Sequence, residues 1–345
     1  MAATRTVVVA SQYLNSVVPF LEVLLPDVHI KAVTFENAIP GEVKPDLQMT
    51  ARDMEALQET EILITDSFVI GQLLYQLPRL KWIQACSAGL DPVTKYVTPE
   101  LLTARGLPPF VLTRFTGDSF ASLMFEYCFC FIVNYERGFL KQIPLKSSCS
   151  WSALKCHAPE SYRMVHELTI AILGTGSIGS RVANAFRKHG SRTIGYGRRA
   201  RTVAELPALG LDSYSTNLQS VLSSCDYIIS ILPHTPETAG ILNGMFSYCQ
   251  KKPVFISLGR GSVVQTDYLL QSLEEELLSY AVLDVFEQEP LPDSSPLWTH
   301  EKVSITPHVS CETRPQVVAK VFIENYRLFQ ENKTMNNVFD WKHLY

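Results

Sequence analysis

The run Leu168-Thr-Ile-Ala-Ile-Leu173 passes without a break into Gly174-Thr175-Gly176-Ser177-Ile178-Gly179, and an amphipathic stretch follows through Lys188. Six apolar-rich residues are too few for a buried helix and suit a strand, whereas the stretch after the glycines has helical spacing. A lone G-x-G-x-x-G is weak evidence, but here it sits between a strand and a helix, where its chemistry can operate. Gly174 permits the tight turn, Gly176 lets a pyrophosphate approach the backbone, and Gly179 allows close strand–helix packing. The helix N-terminus then offers N–H groups and the positive end of its dipole to phosphate. These residues predict a dinucleotide-binding turn in an α/β sheet.

Strands and helices alternate on both sides of this turn. Before it, strands are predicted at Thr6–Ala10, His29–Phe35, Glu61–Thr65, Lys81–Cys86 and Pro109–Thr113, with amphipathic stretches at Ser16–Leu25 and Phe68–Tyr75. From Leu168 onward, six strands are predicted: Leu168–Leu173, Thr193–Tyr196, Tyr227–Leu232, Val254–Ser257, Ala281–Val285 and Val303–Ile305. Helices at Ile178–Lys188 and Thr266–Leu277 lie among them, and a last helix, Arg314–Phe329, has no sheet of its own. Such alternation implies parallel βαβ units. The fold class is therefore α/β, with two doubly wound parallel-sheet (Rossmann-like) domains and an active-site cleft between them. The first domain is expected at 1–115 plus 310–345 and the second, inserted, at 116–309.

Composition narrows the function. Of 345 residues, 46% are apolar and 19% charged, and the net charge is −4, which fits a folded globular chain and leaves no electrostatic footprint for nucleic acid. No stretch reaches the roughly 18 uninterrupted apolar residues of a membrane-spanning helix, and no signal-peptide pattern opens the chain. A cytoplasmic location follows, with the eight cysteines as reduced thiols. Cys128 and Cys130 stand two apart on a predicted helix and face away from each other, so no metal site is expected.

After Thr193–Tyr196, where an acidic residue would accept the ribose 2′-hydroxyl of NAD, the chain has Gly197, Arg198, Arg199 and Arg201. Guanidinium groups match phosphate geometry, which favours NADP(H) while leaving NAD(H) possible. A solvated basic loop is the plain alternative. Three later strands end in polar side chains: Arg260 in Gly259-Arg-Gly261, Asp284 and Glu289 in Leu283-Asp-Val-Phe-Glu-Gln-Glu289, and His308 in Thr306-Pro-His308. Ligands of open α/β sheets bind beyond the carboxyl ends of strands.

Taken together these motifs resemble the D-2-hydroxyacid dehydrogenases, and most the glyoxylate/hydroxypyruvate reductase A branch. The likeness runs from Ser87-Ala-Gly-Leu-Asp91 through Leu232-Pro-His-Thr-Pro-Glu-Thr238, Glu289-Pro-Leu-Pro292, Ser295-Pro-Leu-Trp298 and Thr313-Arg-Pro315. The resemblance implies a first domain that binds substrate and a second that binds the dinucleotide. It assigns Arg260, Glu289 and His308 to the catalytic triad and Asp284 to the nicotinamide carboxamide. It gives Pro233 to the cofactor and the Ala88–Gly89 backbone to the substrate carboxylate. Trp151 resembles a tryptophan that reaches a neighbouring subunit's substrate pocket, and a core tryptophan is the other reading. Residues 118–167 resemble a helical dimerisation segment, whose apolar helix Phe120–Val133 is buried in a homodimer or within the chain itself. Departures from the family pattern are Ser257-Leu-Gly259 in place of Asn-x-Ala, Gln265 in place of aspartate, and Ser310-Cys-Glu312 after the histidine.

The resemblance implies NADPH-dependent reduction of small 2-oxo acids such as glyoxylate or hydroxypyruvate, with His308 as general acid. Histidine ionises in the right range, with a reference pKa of about 6.5, and a carboxylate beside it favours the charged form. The competing class is a dinucleotide-sensing scaffold with little turnover, as in related corepressors. An L-lactate-type dehydrogenase is disfavoured because about 170 residues precede the phosphate turn.

Overall fold

The computed structural model describes residues 6–12, 15–39, 44, 46–156, 159 and 161–342. The chain divides into two compact units, Met1–Gly117 with Thr313–Tyr345, and Asp118–Glu312.

The first unit contains β1 (Thr6–Ala10), β2 (His29–Val33), β3 (Ile62–Thr65), β4 (Trp82–Ala85) and β5 (Val111–Thr113), all parallel in the order β2-β1-β3-β4-β5. Every residue of β3 and β4 is buried, as expected of strands covered on both faces. The Pro315–Gln330 helix belongs to this unit: Phe322 stacks on Trp82 with ring centroids 4.8 Å apart, and beyond it Phe339 N–H donates to the Leu112 carbonyl at 2.8 Å.

The second unit contains β6 (Thr169–Leu173), β7 (Arg192–Tyr196), β8 (Ser213–Ser215), β9 (Tyr227–Ser230), β10 (Val254–Ser257), β11 (Tyr280–Leu283) and β12 (Val303–Ile305). They form a seven-stranded sheet in the order β12-β11-β10-β9-β6-β7-β8, all pairs parallel. The sequence reading of six strands is corrected by β8. Its Ser-Tyr-Ser is an edge segment paired only with β7 and half-buried throughout, so it carries no apolar run to announce it. The helix predicted to Leu277 ends at Glu274, and Glu276 takes a left-handed φ of 54° that cannot continue a helix.

The Asp118–Glu136 helix lays Ala121, Met124, Cys128 and Ile132 against Val182, Ala183 and Phe186 of the Ser177–Lys188 helix. These positions recur every three or four residues and form one buried stripe, so the chain itself covers that face. At its far end Glu136 accepts hydrogen bonds from Tyr227 Oη of β9 (2.7 Å) and from Arg163 Nη2 (2.6 Å). The helix is thereby pinned to the sheet that carries the site.

Candidate active site

In the second sheet the chain leaves β6 toward β7 on one side, while β9 lies on the other, so the loops after β6 and β9 diverge. That divergence is the usual place for a ligand in an open α/β sheet. Gly174 sits there with a left-handed φ of 97°. A Cβ on Gly179 would lie 1.9 Å from the Gly174 carbonyl oxygen, so the turn closes only around glycine. Ser177–Lys188 begins directly after Gly176, and no side chain caps its N-terminus. A close-fitting glycine turn under an uncapped helix end fits a pyrophosphate. Thr175 is buried beside the end of β7, and Pro233 lies exposed just past β9, its carbonyl accepting from Thr238 Oγ1 at 2.6 Å.

The basic cluster after β7 separates into two parts. Arg201 is half-buried and paired with Glu205 at 3.1 Å. Arg198 and Arg199 are exposed, the Arg199 carbonyl being held by Tyr214 Oη at 2.6 Å. The segment directly after this strand, Gly197–Arg201, has no carboxylate. The fold brings one up from the loop after β9: Glu237, held below the ordinary glutamate range by its own backbone N–H and Thr235, also feels the charge of Arg198.

At the other half of the sheet, Arg260 follows β10, Asp284 follows β11 and His308 follows β12. His308 Nδ1–H donates to Glu289 Oε2 at 2.7 Å, and Phe286 N–H donates to Glu289 Oε1 at 2.9 Å. The hydrogen bond to Glu289 raises the pKa of His308 above its ordinary value, outweighing its partial burial and the nearby Arg260. Burial works against ionising Glu289, but the bonds from His308 and Phe286 and the charge of Arg260 still hold it below the ordinary range. Each partner thus favours the charged form of the other, an imidazolium facing a carboxylate. With Nδ1 committed to Glu289, Nε2 is the nitrogen left to exchange a proton.

Glycines flanking Arg260 make this convergence sterically feasible. A Cβ on Gly261 would lie 1.9 Å from the Phe286 carbonyl carbon, so only glycine lets the Glu289 turn close on the Arg260 turn. A Cβ on Gly259 would meet the Leu232 carbonyl oxygen at 2.3 Å, which accounts for glycine where the family pattern has alanine. Arg260 Nη1 donates to the Gly259 carbonyl at 2.8 Å. Asp284 is fully buried, and both its carboxylate oxygens receive donors from residues 306–310.

Two further assignments fall elsewhere. Ala88 and Gly89 lie in the loop after β4 of the first unit, where Ser87 Oγ donates to the Gly89 carbonyl at 3.0 Å. Trp151 opens a short helix and is 81% exposed, which excludes the reading as a core tryptophan of this chain. Two site neighbours escaped sequence reasoning, Glu237 beside Arg198 and Tyr127, which touches Thr306. Both are far in sequence from the groups they meet, so no local motif marks them.

Comparison with known proteins agrees with this geometry. Residues 142–310 match the family description "D-isomer specific 2-hydroxyacid dehydrogenase, NAD binding domain". The glyoxylate/hydroxypyruvate reductase A of Serratia proteamaculans is 32% identical over 274 residues, 78% of this chain and 83% of that protein. Among solved structures, a D-isomer specific 2-hydroxyacid dehydrogenase family protein from Aeromonas salmonicida is 30% identical with a TM-score of 0.74, over 98% of this chain and 100% of its own. The fold is shared with an NADPH-dependent glyoxylate/hydroxypyruvate reductase from Sinorhizobium meliloti in complex with NADP and sulfate. That structure is 24% identical, with a TM-score of 0.75 over 99% of this chain and 100% of its own. With a phosphate turn, an Arg-Glu-His constellation and that degree of likeness, the chain belongs to the D-isomer specific 2-hydroxyacid dehydrogenase family.

Proposed function

We propose that this enzyme reduces small 2-oxo acids of the glyoxylate and hydroxypyruvate kind to D-2-hydroxy acids, using NADPH in preference to NADH, with His308 as the general acid. The observation that carries the proposal is the 2.7 Å bond from His308 to Glu289 with Arg260 beside it. A bound nicotinamide supplies the hydride. As the carbonyl carbon is reduced, negative charge develops on its oxygen, and the Nε2 proton of a charged His308 neutralises it. Glu289 holds the ring orientation through Nδ1 and favours the protonated imidazole. Arg260 supplies a planar fork of donors suited to a 2-oxo acid's carboxylate, which sets the face presented to the hydride. We assign the Ala88–Gly89 backbone to that same carboxylate.

The preference for NADPH rests on Arg198 and Arg199, which are exposed and ready to meet a 2′-phosphate, in contrast to the paired Arg201. Glu237 near Arg198 moderates that preference without removing it. An acid–base pair kept in working geometry argues against a sensor that merely binds dinucleotide. We assign residues 118–167 to a homodimer contact, supported by Phe139, Ile143 and Trp151, which are exposed in the single chain.

A panel of 2-oxo acids assayed with NADPH and with NADH tests the proposal, together with Arg198→Asp. Highest kcat/KM on the two- and three-carbon acids is expected, and the aspartate variant is expected to lose about tenfold or more of its NADPH preference through charge repulsion. An unchanged cofactor ratio overturns the 2′-phosphate assignment, and activity confined to long or branched acids overturns the substrate class.

A further inference from the structure

His308 stands in a left-handed conformation, with φ 55°. A residue with a Cβ adopts this conformation at a cost, and it persists only where the surroundings impose it. Asp284 supplies much of that constraint from beneath. Its backbone carbonyl accepts from His308 N–H at 2.9 Å. Its Oδ1 accepts from Thr306 Oγ1 at 2.5 Å and Val309 N–H at 2.8 Å, and its Oδ2 accepts from Ser310 N–H at 2.8 Å.

The network has one more member. Tyr127 Oη lies 2.6 Å from Thr306 Oγ1. Thr306 has a single hydroxyl hydrogen, and the carboxylate of Asp284, already an acceptor from two backbone N–H groups, takes it. Tyr127 must therefore be the donor to Thr306. Burial pushes the Tyr127 phenol far above its ordinary range, so that proton stays in place at any pH the enzyme meets. Tyr127 lies midway along Asp118–Glu136, a helix anchored on one side to the Ser177–Lys188 helix and at its end to β9.

We propose that Tyr127 is a positioning residue for the His308 proton donor: the chain Tyr127 Oη–H to Thr306 Oγ1–H to Asp284 holds the 306–310 turn in the conformation that keeps His308 on Glu289. The proposal rests on the reading of His308 as general acid. Tyr127 acts only through Thr306. Its hydroxyl orients the Thr306 hydroxyl, which without that donor is free to rotate off Asp284. A proton donor displaced by a fraction of an ångström loses rate while leaving ground-state binding intact.

The test measures kcat, KM and NADPH affinity for Tyr127→Phe, Thr306→Val, the double variant and Thr306→Ser, with thermal unfolding of each. Tyr127→Phe and Thr306→Val are each expected to lower kcat about tenfold, with KM and NADPH affinity within about twofold of wild type. The double variant is expected to be no slower than the slower single one, because both remove the same chain. Thr306→Ser keeps a hydroxyl and is expected to recover most of the rate. Wild-type kcat in Tyr127→Phe overturns the proposal, as does a rate loss matched by lost NADPH affinity. If Tyr127→Phe fails to fold, the contrast between Thr306→Val and Thr306→Ser decides. His308→Gln separates the two levels: a dead His308→Gln beside a fully active Tyr127→Phe removes the positioning role alone, whereas an active His308→Gln removes both readings.

Discussion

Each of the two sheets buries one aspartate immediately past a strand: Asp66 after β3 in the first unit, Asp284 after β11 in the second. Each uses its carboxylate to tie down the end of the neighbouring strand. Asp66 accepts from Ser11 Oγ at 2.6 Å and Gln12 N–H at 2.7 Å, just past β1. Asp284 accepts from Thr306, Val309 and Ser310, just past β12. The devices are alike, but the segments they hold differ. Past β1, Gln12 exchanges hydrogen bonds with the Lys44 backbone, Nε2 to its carbonyl at 2.8 Å and Oε1 from its N–H at 2.9 Å, which is a structural clasp. Past β12 stands His308, with Glu289 against its ring and Arg260 close by. A strand-end carboxylate therefore makes a firm loop in either unit, and only the second loop brings a histidine against a carboxylate.

The sharpest way to break this contrast is to remove the imidazole. His308→Gln is expected to lower carbonyl reduction by about 10²–10⁴ while NADPH still binds, checked by steady-state rates and a fluorescence titration of the cofactor. Retention of most of the turnover would return the second loop to the status of the first.

A smaller effect separates the acid from its support. His308 is raised above its ordinary pKa chiefly by its bond to Glu289, and with His308 as the proposed general acid reduction needs the protonated ring. Activity is therefore full below that raised value and declines as pH climbs through it. Glu289→Gln removes the negative partner, so the alkaline limb of the kcat/KM profile is expected to move to lower pH, with a loss of about tenfold at neutrality. A limb that stays in place shows that Glu289 does not set the ionisation.

The smallest effect lies in the first unit. Burial raises Asp66 to about 6, despite the hydrogen bonds from Ser11 and Gln12. A carboxyl with a raised folded value lends stability that is complete below its unfolded pKa and disappears as pH rises through the folded one. Relative to Asp66→Asn, the wild-type protein is expected to gain about 1 kcal/mol between pH 7 and pH 5. Denaturant midpoints at the two pH values, with hydrogen exchange at β1 and β3 to localise the change, provide the check. An equal response in wild type and variant would mean that the Asp66 clasp is not strained by its charge.

Much of the fold was legible because buried parallel strands are short, continuous apolar runs. β1 and β10 fall at the expected Thr6–Ala10 and Val254–Ser257, and the phosphate turn follows its strand directly. β8 was not legible, since an edge strand of Ser-Tyr-Ser has little apolar surface to bury. Arg198, Arg199 and Arg201 looked equivalent as a string, and only the fold shows Arg201 taken by Glu205 and Arg198 faced by Glu237.

By itself the amino-acid sequence determined the alternating α/β architecture, the glycine turn and the presence of an arginine, a glutamate and a histidine at strand ends. Those properties depend on neighbours a few residues apart, through apolar runs, backbone freedom at glycine and helix spacing. Tertiary structure alone decided that Glu289 meets Nδ1 of His308, that Asp284 lies under the histidine turn, and that Tyr127 completes its support across 179 residues of chain. Hydrogen-bond partners of that kind are chosen by the packing of whole elements, which brings distant residues to within 3 Å and leaves no periodic trace in the chain.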